Sequence, residues 1–365
     1  MDDYAYINAR VRAMEGKLLD RFRYQTLVAQ QSVEGIEEWL KSSPYAACLE
    51  WTMGKAGSRS GHDIGARMDE AFRRDMVRTL AKLRRMTAHR ARELMEALLM
   101  RWDAYNLKVI LRGKRAHAPI EEMLALTIPV GTLGEVALAE LARAPTLRAV
   151  ADTLETWRSP LARPLRDGLK TLGDSDVLQP LEFALDRFAL RAALRVTADG
   201  NDDDLVVKDY LRLLVDKTNL LTAFRYLEER SALSGVSGAQ QVALGHEAGR
   251  YYLNAGGRVT PSLFRAVVGA GNLRHGLSLL AETPYRWLAG RFAETDPVSV
   301  PRMEGWLDRW LLHEAIGLAR RDPLGIGVAT AYIERKVSEV RNLRLIVRGK
   351  VSGMGPDHLM AWLVI

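Results

Sequence analysis

The chain has a single cysteine, Cys48, in 365 residues. That excludes an intramolecular disulfide framework and any cysteine-rich zinc site, and it fits a reducing compartment. Aromatic residues make up only 7%, which leaves little aromatic–basic interleaving for base stacking. No apolar run approaches the roughly 18 residues of a transmembrane helix, so none is expected. The opening residues, MDDYAYINAR, carry two acids and no apolar core, unlike a secretory leader. Strand-like alternation is missing over any useful length.

Catalytic signatures are also scarce. The Gly-Lys pairs at Gly16, Gly54, Gly113 and Gly349 are followed by Leu18, Ala56, Arg115 and Val351, never by the Ser or Thr of a phosphate loop. Gly325-Ile326-Gly327 lacks the third glycine of a dinucleotide fingerprint. His246-Glu247 and His313-Glu314 lack the second histidine of a zinc-protease helix, and the seven histidines form no ligand pair. In Gly57-Ser58-Arg59-Ser60-Gly61 an arginine stands where a nucleophile-elbow serine belongs. No catalytic residue, metal site or cofactor is expected, and the chain is not expected to be an enzyme.

What is present favours helix. The stretch 67–101 is rich in Ala, Leu, Met, Arg and Glu, with Phe72, Met76, Leu80 and Leu83 at helical spacing. Gly/Ser-rich loops are expected at 54–61 and 234–238, and a polar break at Asp199–Asp204. Thirteen prolines suggest many short helices rather than a few long rods. Trp39, Trp102 and Trp310 fall on apolar helix faces and are expected in the core. The fold class is all-α. The 52 basic residues, mostly arginine, exceed the 45 acidic ones and give a net charge of +7. Such a surplus suits an acidic partner, whether nucleic acid, membrane surface or protein. The arginines are nonetheless spread along the chain, and short clusters such as Arg10/Arg12, Arg73/Arg74 and Arg84/Arg85 are expected to be mostly solvated helix faces.

The strongest signal is internal repetition. Asp103, Asn106 and Arg112 recur as Asp216, Asn219 and Arg225, and again as Glu339, Asn342 and Arg348. In each copy a carboxylate precedes Asn by three, Leu follows the Asn, and Arg comes six after it. The asparagines are 113 and 123 residues apart. Upstream, Ser43-Pro44-Tyr45, Ser159-Pro160-Leu161 and Thr283-Pro284-Tyr285 precede those asparagines by 62, 59 and 58 residues, counted from the proline. A hydroxyl residue followed by proline marks a helix start. Leu185-Asp186-Arg187-Phe188 and Leu307-Asp308-Arg309-Trp310 form a third element, replaced in the first copy by Phe72-Arg73-Arg74.

These spacings predict three homologous helical modules at 1–130, 131–256 and 257–365. Their joints fall near Ile128–Gly131 and Asn254–Gly257, and a pseudo-threefold, funnel-like body is one arrangement open to them. Carboxylate and Asn at i, i+3 share a helix face, and a buried Asn suits loop or helix-end backbone groups. No nucleophile or base recurs beside it, so the motif is expected to be architectural.

The motifs also carry a resemblance. Tyr4–Met14 is similar to the opening of the C subunit of bacterial and archaeal V-type (A-type) rotary ATPases, whose eukaryotic equivalent is the d subunit of the V-ATPase. Trp102–Arg112 resembles that family's most recognisable internal segment. Asp322–Ile326, Tyr332-Ile333 and Glu339–Arg344 resemble its C-terminal signature, while Asn254–Gly257 departs from the Pro-Gly-Gly type of joint. The resemblance spans residues 4 to about 350. It implies a funnel of three helical modules, seated on the membrane rotor ring and receiving the foot of the central stalk, with no active site of its own. The implied partners are the central-stalk subunits and the rotor ring, with the membrane stator subunit as a further neighbour. The implied location is peripheral, on the cytoplasmic face of a membrane. The competing expectation is a helical-repeat scaffold that binds nucleic acid through its arginines.

Overall fold

The computed structural model describes residues 4–53, 61–172, 178–198, 200–232, 248–292 and 297–365. Residues 54–60 and 234–238 of the expected Gly/Ser loops lie outside them. Every regular element among the described residues is helical.

After α1 (Tyr4–Glu15), one succession of elements occurs three times. It runs first through α2 (Arg21–Ala29), α3 (Val33–Lys41), α4 (Ala46–Met53), α5 (Gly61–Met86) and α6 (His89–Arg115). A short α7 (Ile120–Leu126) leads into α8 (Glu135–Arg143), α9 (Leu147–Thr156), α10 (Ala162–Leu172), α11 (Gln179–Val196) and α12 (Asp202–Ala232). A 3-10 turn at Gly249–Tyr251 precedes α13 (Pro261–Val268), α14 (Leu273–Ser278), α15 (Arg286–Ala289), α16 (Val300–Arg321) and α17 (Gly327–Val351). The chain ends with α18 (Pro356–Trp362). Each round is three short helices followed by two longer ones.

Local chemistry explains the matching starts. The second helix of every round is capped by a side-chain oxygen that accepts the amide three residues on: Ser32 from Gly35, Thr146 from Ala149, Asn272 from His275. The hydroxyl–proline elements form three like turns. Their first carbonyls accept from Ala46, Ala162 and Arg286, the first residues of α4, α10 and α15. Their hydroxyls accept the amides of Tyr45, Leu161 and Tyr285 at 3.1, 3.4 and 3.1 Å.

The chain forms two compact units, Met1–Val207 with Ala315–Ile365, and Lys208–Glu314. One core of the first unit sets Ala104, Leu107, Ile110 and Leu111 of α6, with Leu133, against Leu138, Leu141, Val150, Leu154, Leu165, Leu181 and Leu185 of α8–α11. The core of the second unit sets Leu220, Phe224 and Leu227 of α12, with Val259, against Phe264, Val267, Leu277, Leu288, Met303 and Leu307 of α13–α16. Each core therefore joins the last helix of one round to the first four of the next. Within the first unit α17 likewise packs on α3 and α5, and α18 on α2. Packing thus crosses the joints at which the repeats divide.

Two sequence expectations change in detail. Asp202–Asp204 of the polar break form the first turn of α12, where acidic residues favour the positive end of the helix dipole. Trp39, Trp102 and Trp310 are half-buried, with Trp310 packed against the core of the second unit, stacked on Trp287 and edge-on to Tyr285.

Burial ranks the positions. Phe224 is fully buried, whereas Val136 is 83% exposed. Phe224→Ala is expected to lower unfolding free energy by about 3–5 kcal/mol, and Val136→Ala by less than about 0.5 kcal/mol, in denaturant titrations.

Candidate functional site

Among the described residues no group of three or more His, Cys, Asp or Glu is placed to hold a metal ion, and no helix is long and apolar enough to cross a membrane. The built feature is the set of joints.

At each joint one asparagine grips one residue of backbone. Asn106 Nδ2 donates to the Ile128 carbonyl at 2.8 Å, and its Oδ1 accepts the Ile128 amide at 2.6 Å. Asn219 makes the same pair with Leu253, at 3.1 and 2.8 Å. Asn342 makes it with Val364, at 2.8 Å in both directions. All three asparagines are buried on long helices. A carboxamide carries the donor and acceptor that a peptide group needs, so it replaces a strand neighbour in an all-helical protein.

The preceding carboxylate takes the next amides. Asp103 accepts from the amides of Thr132 and Leu133 at 2.8 and 2.9 Å, and from the Thr132 hydroxyl at 2.8 Å. Asp216 accepts the Val259 amide at 2.8 Å. Glu339 accepts the Leu19 amide at 2.5 Å. Burial raises the pKa of Asp103 from its ordinary value, against the pull of those hydrogen bonds. The joint backbone runs so close to Asp103 and Asp216 that a Cβ on Gly131 or Gly257 would lie 2.2 Å from a carboxylate oxygen.

The repeated arginines bind the fourth helix of the following round. Arg112 donates twice to Glu182 of α11, at 2.6 and 2.5 Å. Arg225 pairs with Glu304 of α16 at 2.9 Å. Arg348 pairs with Asp69 of α5, which places the first round after the third. A lysine reinforces each contact: Lys108 with Asp186 at 2.7 Å, Lys217 with Asp308, and Lys336 with Asp75 at 2.6 Å. The arginine pairs are exposed and worth up to about 1 kcal/mol each, so they fix register more than they stabilise.

Some arginines expected on solvated faces are committed to the first joint. Arg73 donates to the Thr127 carbonyl at 2.7 Å, and Arg84 to the Gly131 carbonyl at 2.9 Å. Their long stems reach carbonyls that no helix covers.

The two ends of the sequence resemblance meet in space. Buried Asn8 of α1 donates to the carbonyls of Leu324 and Gly325 at 2.7 and 3.2 Å, and Arg12 to that of Pro323 at 2.8 Å. Asp203 accepts the Ile326 amide at 3.1 Å. A Cβ on Gly325 would lie 1.7 Å from Asp322 Oδ2, so this turn also requires glycine.

Residues 7–361 match the model of the ATP synthase (C/AC39) subunit family. The chain belongs to that family. It is 30% identical to the C subunit of the V-type ATP synthase of Thermus thermophilus, over 97% of its own length and 96% of that protein. It is 27% identical to the C subunit of the A-type ATP synthase of Methanosarcina mazei over 100% and 93% of the two chains. Against the corresponding A-type protein of Methanocaldococcus jannaschii it is 24% identical over 99% and 86%.

In this member of the C/AC39 family, sequence spacing located Asn106, Asn219 and Asn342 but not the partners of the repeated arginines. Asp69, Glu182 and Glu304 stand 37 or 38 residues before the asparagine of their own round. That offset was the available signal, hidden among many other acids on amphipathic helices.

Replacing the clamp separates the two kinds of contact. Asn219→Leu leaves the Leu253 amide and carbonyl buried without partners, and each orphaned group costs about 1–3 kcal/mol. Arg225→Ala, at an exposed pair, is expected to cost less than about 1 kcal/mol. Thermal melting of the two variants checks the order, and equal losses would contradict it. Gly131→Ala is expected to melt well below Gly134→Ala, because a Cβ at Gly134 meets nothing within 4 Å.

Proposed function

We propose that this chain is the non-catalytic central-stalk subunit of a V-type (A-type) rotary ATPase, a socket that links the stalk to the membrane rotor ring. The family match over residues 7–361 is the observation that carries the proposal. In that role the chain couples ATP hydrolysis or synthesis in the catalytic head to ion transport through the ring. Its partners are the central-stalk subunits and the rotor ring, with the membrane stator subunit as a neighbour. It sits peripherally on the cytoplasmic face. Three homologous helical modules, 1–130, 131–256 and 257–365, make up the socket.

The joints support this assignment. A coupling element has to turn as one body under load, which calls for stiff joints rather than a reactive pocket. Each joint has a two-way asparagine bond, a carboxylate on the next amides, and an Arg and a Lys pair to the following round. The same ion pairs count against nucleic-acid binding, since arginines bound to carboxylates are not offered to phosphate.

Basic groups left over by these pairs suit acidic surfaces on the stalk, and contacts of that kind mainly speed encounter and fix register. Association of the purified chain with the stalk subunits is therefore expected to slow between about 0.05 and 0.5 M salt, as the screening length falls from above 10 Å to a few ångströms. Stopped-flow rates independent of salt would leave a purely apolar socket. Calorimetry is expected to show no ATP binding in the micromolar range, and binding there would contradict a non-catalytic role.

A further inference from the structure

We propose that residues 17–20 and 363–365, far apart in sequence, form a third joint of the same kind as the internal ones, and that buried Lys336 with Asp75, Glu339 and Tyr45 is the clasp that holds it. At the internal joints one continuous stretch serves both side chains of the motif. Asn106 and Asp103 hold Ile128 and Leu133, and Asn219 and Asp216 hold Leu253 and Val259. At the third joint Asn342 holds Val364, whereas Glu339 holds Leu19. The positions correspond in the elements that follow as well. Leu19, Leu133 and Val259 each precede the N-cap of the first helix of a round, namely Asp20, Gly134 and Thr260.

The lysine pair that every joint carries is extended at this one. Lys336 Nζ lies 2.6 Å from Asp75 Oδ2, 2.7 Å from Glu339 Oε1 and 2.9 Å from the Tyr45 hydroxyl, which itself donates to Glu339 Oε1 at 2.6 Å. Arg78 pairs with the other oxygen of Asp75 at 3.0 Å, so two cations balance two carboxylates. Lys336, Asp75, Glu339 and Tyr45 are all buried. Burial works against the Lys336 charge, but Glu339 and Asp75 overcome it and raise its pKa above the ordinary lysine value. Removing one member of such a group leaves an uncompensated buried charge. Tyr45 comes from the Ser43-Pro44-Tyr45 turn and Asp75 from α5, so the clasp ties the first round to the last helix of the third.

A segment held by few buried contacts ordinarily opens locally. A joint held in this way does not, and hydrogen exchange on the full chain reads the difference. The Leu19 and Val364 amides are expected to exchange within about tenfold of those of Leu133 and Leu253, their internal counterparts. Lys336→Met is expected to speed exchange at Leu19 and Val364 by tenfold or more while Leu133 and Leu253 change by less than about threefold. Exchange at Leu19 and Val364 a hundredfold or more faster than at the internal joints in the unaltered chain would overturn the proposal. So would equal acceleration at all three joints in the variant. If Lys336→Met fails to fold, the comparison within the unaltered chain still decides.

Discussion

An asparagine side chain bonded both ways to one peptide group is the interaction on which the rest depends. An all-helical protein has no strand ladder to pair the backbone where one round of helices hands over to the next. Those peptide groups are buried and must find partners. Asn106, Asn219 and Asn342 supply them from the faces of long helices, and a carboxylate three residues earlier takes the following amide. The net gain of each bond is modest, about 0.5–1.5 kcal/mol. The cost of leaving the groups unpaired is larger, and it fixes where the backbone can run.

The cores follow from this constraint. Because each clamp holds the next joint against its own helix, the first four helices of the next round share a core with that helix. Leu107 follows Asn106 directly and Ile110 lies one helix turn beyond it, and both pack among α8–α11, as Phe224 of α12, beyond Asn219, does among α13–α16. The repeat visible in the sequence and the unit that packs together are therefore out of step. The arginine and lysine pairs fall on the same boundaries and select the register in which each long helix meets the fourth helix of the next round.

Much of this was legible in the sequence. The spacing of Asn106, Asn219 and Asn342, the hydroxyl–proline turns before α4, α10 and α15, and the periodicity of Phe72, Met76, Leu80 and Leu83 mark elements whose causes are local. The frame of the cores was not legible, because periodicity marks a buried face without naming the helix that covers it. The joint between residues 17–20 and 363–365 was hidden for the same reason. Glu339 and Leu19 are 320 residues apart, and Tyr45 and Glu339 are 294 apart. Arg73 and Arg84 looked like solvated charge because an amphipathic pattern does not show that a long side chain bends back to an uncovered carbonyl.

In its proposed role the chain transmits work and performs no chemistry. The most direct measurement uses the rotary complex reconstituted in vesicles with and without this chain, following ATP hydrolysis and ATP-driven ion uptake together. The account predicts that omitting the chain abolishes ion uptake while the catalytic head continues to hydrolyse ATP, and that adding the chain back restores uptake. Loss of hydrolysis in step with uptake, or uptake undiminished without the chain, would contradict it.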